Sequence, residues 1–574
     1  MNFLDIKSKV DLCNYIDVSE RRLNILLYSK GNKYSKYLKK KKSGGYREIC
    51  APINSLKYAQ KNISRRLNEV FENQDFSKVA HGFICNKSIV TNAKPHLNKK
   101  YVVNIDILDF FPSITFRRVL GLFKKNKYIS LNEKLAIMLA NLVTYENKLP
   151  QGAPSSPVVS NLICHNLDKN FKKLMRDYPD LTITRYADDI TLSCNSENTL
   201  SKLYSLKDNC LSSFLTKIVE KNGFKINIKK TRLSKWFEHQ EASGLVVNTE
   251  LNVNKYFFHR VRCITNCIKK YGVIPVIKHY CDIKKIPFCK ENAEKFVEYY
   301  KGLFSYLKMV RGFKPPYNNL AYKANEILGK NVFDYLISLE EIKKECVFKL
   351  IDAIDKNGGM GTCFRIKNFI VTCKHNLFSK NVDAEIITGY NIFLDPDNPL
   401  AKNIKPCFIS EEHDLAFFDS SNIKSPKFLV LSKQNIESGE NINCIGFPMS
   451  ELDDNVSIAQ GKVESTQRFK ASSKAEYYED DYFTTDASIR CGNSGGPIIN
   501  DNNELVGMAC IGIDNLERSN VNGSLHISAI KNELKKAIKN KKNKMEIDKI
   551  IVKKGKCSIL YSTKEWKKCW MFAQ

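Results

Sequence analysis

Leu181-Thr182-Ile183-Thr184-Arg185-Tyr186-Ala187-Asp188-Asp189-Ile190-Thr191-Leu192-Ser193 sets two adjacent carboxylates between runs rich in Ile, Leu and Thr. Such runs predict strands, so the segment reads as a hairpin with Asp188 and Asp189 at its tip. Upstream, Tyr101-Val102-Val103-Asn104-Ile105-Asp106-Ile107-Leu108-Asp109-Phe110-Phe111-Pro112-Ser113-Ile114 reads as a buried strand that Pro112 stops. Asp106 lies inside that apolar strand, where a carboxylate is costly unless it is paired or binds metal. Neighbouring carboxylates repel, so Asp106, Asp188 and Asp189 together require a cation, and their oxygens suit two Mg²⁺ ions. Two ions about 4 Å apart activate a 3′-hydroxyl and stabilise a leaving pyrophosphate.

Other blocks stand in fixed order around these. Gly44-Gly45-Tyr46-Arg47-Glu48-Ile49 precedes Asp106, and Leu149-Pro150-Gln151-Gly152-Ala153-Pro154-Ser155-Ser156-Pro157 separates Asp106 from Asp188. Gly223-Phe224-Lys225-Ile226-Asn227, then Lys230-Thr231, comes last. In this order the blocks resemble those of reverse transcriptases over residues 20–310. The resemblance implies an α+β right-hand polymerase, with fingers and palm to residue 250 and a helical thumb over 251–312. It makes Asp106, Asp188 and Asp189 the catalytic, metal-binding set. It makes Arg47 a contact to the incoming dNTP, Gln151 a nucleotide contact, and Lys230 a group near the phosphates. Phe111 would block a ribose 2′-hydroxyl, although Phe110 and Phe111 also read as ordinary core.

Asn92-Ala93-Lys94-Pro95-His96 and Ala242-Ser243-Gly244 are similar to two marks of retron reverse transcriptases. In the second mark, Ala and Ser stand where that family has Val and Thr. A retron-type enzyme implies a cognate structured non-coding RNA as partner and priming from an internal guanosine 2′-hydroxyl. Its product would be a branched RNA–DNA, multicopy single-stranded DNA (msDNA), and its setting bacterial anti-phage defence. In 255–312, cations such as Arg260, Lys308 and Arg311 stand among Tyr299, Tyr300, Phe304 and Tyr306. They suit phosphates and stacked bases, or the aromatics form a helix's core stripe.

Beyond a helical connector at 313–349 the texture changes to short β-rich segments separated by Asn, Asp and Gly. Gly361 to His375 reads as two strands ending on a His, Asp414 opens another strand, and Ser494 stands in a Gly-rich loop. The order His, Asp, Ser is that of a chymotrypsin-type triad. Ser494 would be the nucleophile, His375 the base and then acid, and Asp414 its orienter. Gly495 and Gly496 permit a tight backbone, and the N–H groups of Gly492 and Ser494 would form the oxyanion hole. With Gly446-Phe447-Pro448, Gly461-Lys462-Val463 and Thr485 to Pro497, region 350–530 resembles trypsin-like proteases, nearest the HtrA type. That implies an all-β chymotrypsin-like double barrel, no cofactor, and a protein substrate the sequence does not name. Lys374-His375-Asn376 departs from the usual Ala-His-Cys. A substrate pocket is expected from Ser488 and Ala509-Cys510-Ile511-Gly512, with no Asp at its base to favour Lys or Arg.

A chain of 574 residues with 43% apolar and 11% aromatic content folds as several domains. Its net charge of +30 is uneven. Residues 1–344 carry about +29, residues 345–530 about −9 and the tail 531–574 about +10, so nucleic acid is expected on the first region. The 19 Cys lack a repeated CxxC pattern and read as reduced structural thiols rather than a zinc site. Without an apolar leader or membrane-length run, a cytoplasmic protein with no membrane partner is expected, and an oligomer is left open. The basic stretch 531–556 reads as an amphipathic helix. Two competing readings stand beside the fused effector protease. In one the protease fold is an inert binding or sensor module; in the other the chain is a viral-type polyprotein that cuts itself.

Overall fold

The computed structural model describes residues 3–29, 31–40, 44–72, 78–329, 331–352, 360–377, 390–395, 398–420, 427–448, 456–466, 471–472, 477–478, 482–490, 492–513 and 521–542. The chain divides into two units, Met1–Lys255 and Tyr256–Gln574.

In the first unit, β1 (Tyr34–Lys40) and β2 (Tyr46–Pro52) form an antiparallel ribbon. Ser88 starts α1 (Ile89–Ala93) with a capping box that exchanges hydrogen bonds with Thr91. The unit's main sheet centres on β3 (Tyr101–Leu108), flanked in sequence by α2 (Phe116–Lys125), α3 (Ser156–Ile163) and α4 (His165–Asp177). The order is β4 (Thr182–Tyr186), β5 (Asp189–Cys194), β3, β6 (Lys225–Ile226), with α5 (Ser213–Lys221) preceding β6; β7 (Arg232–Lys235) also pairs with β3. Val102, Val103, Ile105 and Ile107 of β3 are buried, as a strand covered on both faces requires. The expected hairpin is β4–β5, and its turn takes Ala187 through the left-handed region (φ 57°). Gly82 backs that turn: a Cβ there would stand 2.7 Å from the Ala187 nitrogen. A small sheet holds β8 (Glu241–Ala242) and β9 (Leu245–Val246).

The second unit opens with α6 (Lys255–Tyr271), whose first residue belongs to the first unit, followed by α7 (Val273–Lys284) and α8 (Lys290–Arg311). Phe296, Tyr300, Phe304 and Leu307 bury one stripe of α8, so Tyr300 and Phe304 are core rather than exposed stacking surfaces. After α9 (Tyr317–Leu328), residues 331–337 run as an extended strap. Two Asn side chains of α9 hold it as a neighbouring strand would. Asn325 accepts from the N–H groups of Val332 and Phe333 at 3.0 and 2.9 Å and donates to the Phe333 carbonyl at 2.7 Å. Asn318 accepts from the Leu336 N–H at 2.7 Å and donates to its carbonyl at 2.5 Å. Phe333 stacks on Phe304 at 3.9 Å between ring centres. Asp334 lies between Lys308 of α8 at 2.8 Å and Lys367 at 2.9 Å. Asn331 donates to the Lys367 carbonyl, and Asn503 donates to that of Ile337. Ser338 then caps α10 (Leu339–Glu345).

The β region forms two seven-stranded sheets. The first contains β10 (Val347–Asp352), β11 (Met360–Ile366), β12 (Phe369–Thr372), β13 (Tyr390–Asp395), β14 (Asn398–Ile404), β15 (Phe408–Ile409) and β16 (Ala416–Asp419), in the order β14-β13-β10-β11-β12-β16-β15. The second contains β17 (Val430–Leu431), β18 (Asn441–Gly446), β19 (Ser457–Ser465), β20 (Tyr482–Thr485), β21 (Pro497–Asn500), β22 (Glu504–Ile513) and β23 (Val521–His526). Its order is β17-β22-β21-β18-β19-β20-β23, and pairing of β22 with β23 closes a six-stranded barrel beside β17. Each sheet buries its own apolar cluster, the arrangement expected of a chymotrypsin-like fold. The chain ends its described part in α11 (Ile527–Lys542). The rest of the tail, with Trp566 and Trp570, lies outside the described residues.

Candidate polymerase and protease sites

The backbone of the first unit converges three carboxylates. Asp106 of β3 stands opposite Asp189 of β5 in register, and the Ile107 N–H donates to the Asp188 carbonyl at 3.0 Å. Asp106 accepts from Lys230 Nζ at 2.7 Å and from Asn227 Nδ2 at 3.0 Å. Lys230 therefore sits on a carboxylate of the cluster. Burial pushes the Asp188 carboxyl upward, and the charge of Asp106 adds to this. Burial, then Asp188, then Asp106 push Asp189 up to about 6. Carboxyls that resist ionising because they are buried and, secondarily, because they face one another are oxygen donors suited to a hard cation, so the set fits divalent metal.

The nucleotide candidates lie on other elements. Arg47 is an exposed residue of β2 whose positive charge favours ionised Asp188. Gln151 accepts the Cys50 N–H through its carbonyl at 2.7 Å, tying its loop to β2. Gly152 there has φ 110°, and a Cβ would stand 2.8 Å from Ile49 Cγ2. Phe110 is buried and stacks on Phe224, whereas Phe111 is half-buried at its edge.

The two retron-like marks meet. Asn92 Nδ2 donates to Ser243 Oγ at 2.9 Å. His96 bonds Ser193 Oγ at 2.7 Å and Thr184 Oγ1 at 2.8 Å. Both Asn92 and His96 are 0% exposed, so these side chains brace β4, β5 and the turn between β8 and β9 from inside. Burial pushes the His96 imidazole down to about 3, which keeps it neutral.

Several residues went unnoticed in the sequence. Arg185 is fully buried and paired twice with Asp168, each bond 2.8 Å, while its other nitrogen reaches Asn161 and the Ala187 carbonyl. It thus anchors the carboxylate turn; the signal was a cation inside an apolar strand. Trp236 and Phe237, each 65% exposed, project from a turn that Asn248 ties through the carbonyls of Trp236 and Glu238. Two exposed rings on a braced turn suit base stacking.

In the second unit, His375 follows β12 on a 3₁₀ turn (Lys374–Leu377). Its Nδ1 lies 2.6 Å from Asp414 Oδ2, and its N–H donates to Asp414 Oδ1 at 2.9 Å. Burial pushes Asp414 upward, but the His375 hydrogen bonds and charge outweigh it and hold the carboxyl below the usual range. Ser494, on the opposite sheet's loop, donates its hydroxyl to the Cys510 carbonyl at 2.5 Å rather than to His375. Among the described residues, the N–H groups of Gly492 and Ser494 have no hydrogen-bond partner, as an oxyanion hole needs.

The nucleophile loop is held through its carbonyls. Thr362 Oγ1 donates to Gly492 O at 2.6 Å, while Thr362 N–H and Asn376 Nδ2 each donate to Ser494 O at 2.9 Å. Gly495 has φ 84°, and a Cβ there would stand 2.2 Å from Thr362 O. Thr362 and Asn376 also escaped the sequence reading; the one hint was Asn376 where Cys is usual. Behind the triad, the buried thiols of Cys373 and Cys510 lie 3.6 Å apart. Ser488 is exposed, and residues 514–520, beyond the expected pocket strand, lie outside the described residues.

Residues 38–256 match the family described as reverse transcriptase (RNA-dependent DNA polymerase), and residues 359–508 match the trypsin-like peptidase domain. The chain is 35% identical over 302 residues to the retron Ec86 reverse transcriptase of Escherichia coli, covering 52% of this chain and 83% of that protein. It is 36% identical over 228 residues to the retron Mx162 reverse transcriptase of Myxococcus xanthus, covering 36% of this chain and 46% of that protein. Against serine protease HTRA1A of Danio rerio, identity is 28% over 195 residues, 33% of this chain and 38% of that protein. The chain belongs to the retron reverse transcriptases, and it carries a trypsin-like serine protease domain on the same polypeptide.

Proposed function

We propose that this enzyme copies a cognate structured non-coding RNA into DNA, leaving a branched RNA–DNA product, and that this nucleic acid restrains the fused protease until phage infection disturbs it. The work would take place in the bacterial cytoplasm. The observation that carries the reading is the convergence of Asp106, Asp188 and Asp189 with Lys230, on a chain that also holds a formed His375–Asp414 pair beside Ser494.

Two Mg²⁺ ions held by the three carboxylates would activate the attacking hydroxyl and stabilise the leaving pyrophosphate. Arg47 and Gln151 position the dNTP, and Lys230 draws its phosphates toward Asp106. Phe111 crowds the ribose 2′ position and selects deoxynucleotides. In the protease, His375 takes the Ser494 proton and returns it to the leaving amine, Asp414 holds the imidazole, and the N–H groups of Gly492 and Ser494 receive the oxyanion. The Ser494 hydroxyl turned to Cys510 fits a nucleophile at rest, as a restrained effector needs.

Asp188→Ala abolishes DNA synthesis from the cognate RNA and frees the protease, so proteome cleavage rises above that of msDNA-loaded wild type. Equal cleavage rates sink the coupling. That same turned hydroxyl is also what an inert protease fold would show. Ser494→Ala separates the two readings, because phage protection is lost only if the protease cuts.

A further inference from the structure

We propose that the palm carries a second phosphate-binding cleft, apart from the polymerase carboxylates, that grips a single strand of RNA. The cleft, about 650 Å³ in volume, is bordered by α2, α4 and α5. Its cations are Arg118, Lys125, Lys127, Lys169 and Lys221, and no carboxylate lines it.

Arg118 is the informative member. It is half-buried, and it donates to the carbonyls of Gly223 and Asn222 at 2.8 Å and of Ser113 at 3.2 Å. Its guanidinium lies 4.3 Å from the centre of the Phe224 ring. Among the described residues no carboxylate ion-pairs with it, and burial lowers its pKa. Carbonyls and an aromatic face fix the group without neutralising it, and a fixed, poorly solvated cation is costly unless an anion offsets it. The rim lysines repeat that demand across three helices, which exceeds what one phosphate satisfies. Between them, Leu122, Leu162 and the half-buried Tyr128 give an apolar floor suited to an unstacked base. Phosphates at the rim with a base on the floor describe a strand, not a free nucleotide. Through Phe224, which carries Arg118 on its ring and stacks on Phe110 at 5.7 Å, the cleft connects to the turn that follows the strand bearing Asp106.

The inference rests on the reading of this chain as an RNA-copying enzyme, and absence of primer extension by the unaltered chain would expose a failure of that reading separately. The test compares the full chain with the Lys125→Gln/Lys169→Gln/Lys221→Gln variant, three surface cations outside the catalytic set. Binding of a labelled single-stranded RNA is followed against KCl, beside extension of a DNA primer at saturating RNA template. The expected variant loses about 10-fold in affinity, its log–log salt slope falls by about 2, and saturated extension stays within about two-fold. Lys→Arg at the same positions restores the slope. An unchanged slope and affinity overturn the proposal. So does GMP binding that the variant loses while RNA affinity is retained, which would make the cleft a mononucleotide site.

Discussion

Asn376 holds the carbonyl of the nucleophile while standing next to the base, so one amide couples the two halves of the triad. Asn376→Ala removes that half-buried bond while the Thr362 N–H still serves the same carbonyl, a loss of about 0.5–1.5 kcal/mol. Peptide cleavage should show kcat reduced roughly 2- to 10-fold with KM nearly unchanged; an equal change in KM would mean that Asn376 shapes the substrate pocket instead. His96 makes a pH prediction. Its imidazole is neutral when folded down to about 3 but protonates at about 6.5 when unfolded. Its contribution to stability is full above 6.5 and is lost as pH falls toward 3, at about 1.4 kcal/mol per pH unit. Thermal melts of His96→Gln should therefore lose acid sensitivity across that window, whatever their absolute midpoint. Ionisable residues with a demanding chemistry, such as Asp188 or His375, were legible in the sequence because few environments tolerate them. Neutral braces such as Thr362 and Asn376 were not, since an amide or hydroxyl in a loop has many ordinary uses.

At the scale of elements, β4 and the turn to β5 depend on a buried ion pair. Arg185→Met leaves Asp168 charged and unpaired in the interior and should cost about 3–5 kcal/mol, while pairing it with Asp168→Leu recovers most of the loss. Urea unfolding of the single and double variants measures this; equal losses would show that Arg185 acts through packing alone. The hairpin itself was readable, because strand-forming residues on both sides leave only the Ala187–Asp188 turn free. The fate of the aromatic stripe in α8 was not. Tyr300 and Phe304 look alike as base platforms and as core, and only the arrival of Phe333, far along the chain, decides for core. The retron-like marks carry a similar lesson, since Asn92 and Ser243 are distant in sequence and join as one interior bond.

At the scale of the whole molecule, the helices after Lys255 share a unit with the protease, and the strap at 331–337 is what joins them. Phe333→Ala should cost about 3–5 kcal/mol in that unit. If the strap transmits nucleic-acid occupancy, the variant's protease activity no longer responds to msDNA, and unaltered inhibition would show that the signal travels another way. The strap itself was not legible in the sequence, because a segment held by Asn side chains and one Asp leaves no motif. For inheritance the consequence is specific. A recombination that breaks the gene between α8 and the strap leaves Phe304 without Phe333 and Lys308 without Asp334, so an incoming C-terminal domain must bring its own matching helices or inherit an exposed scar.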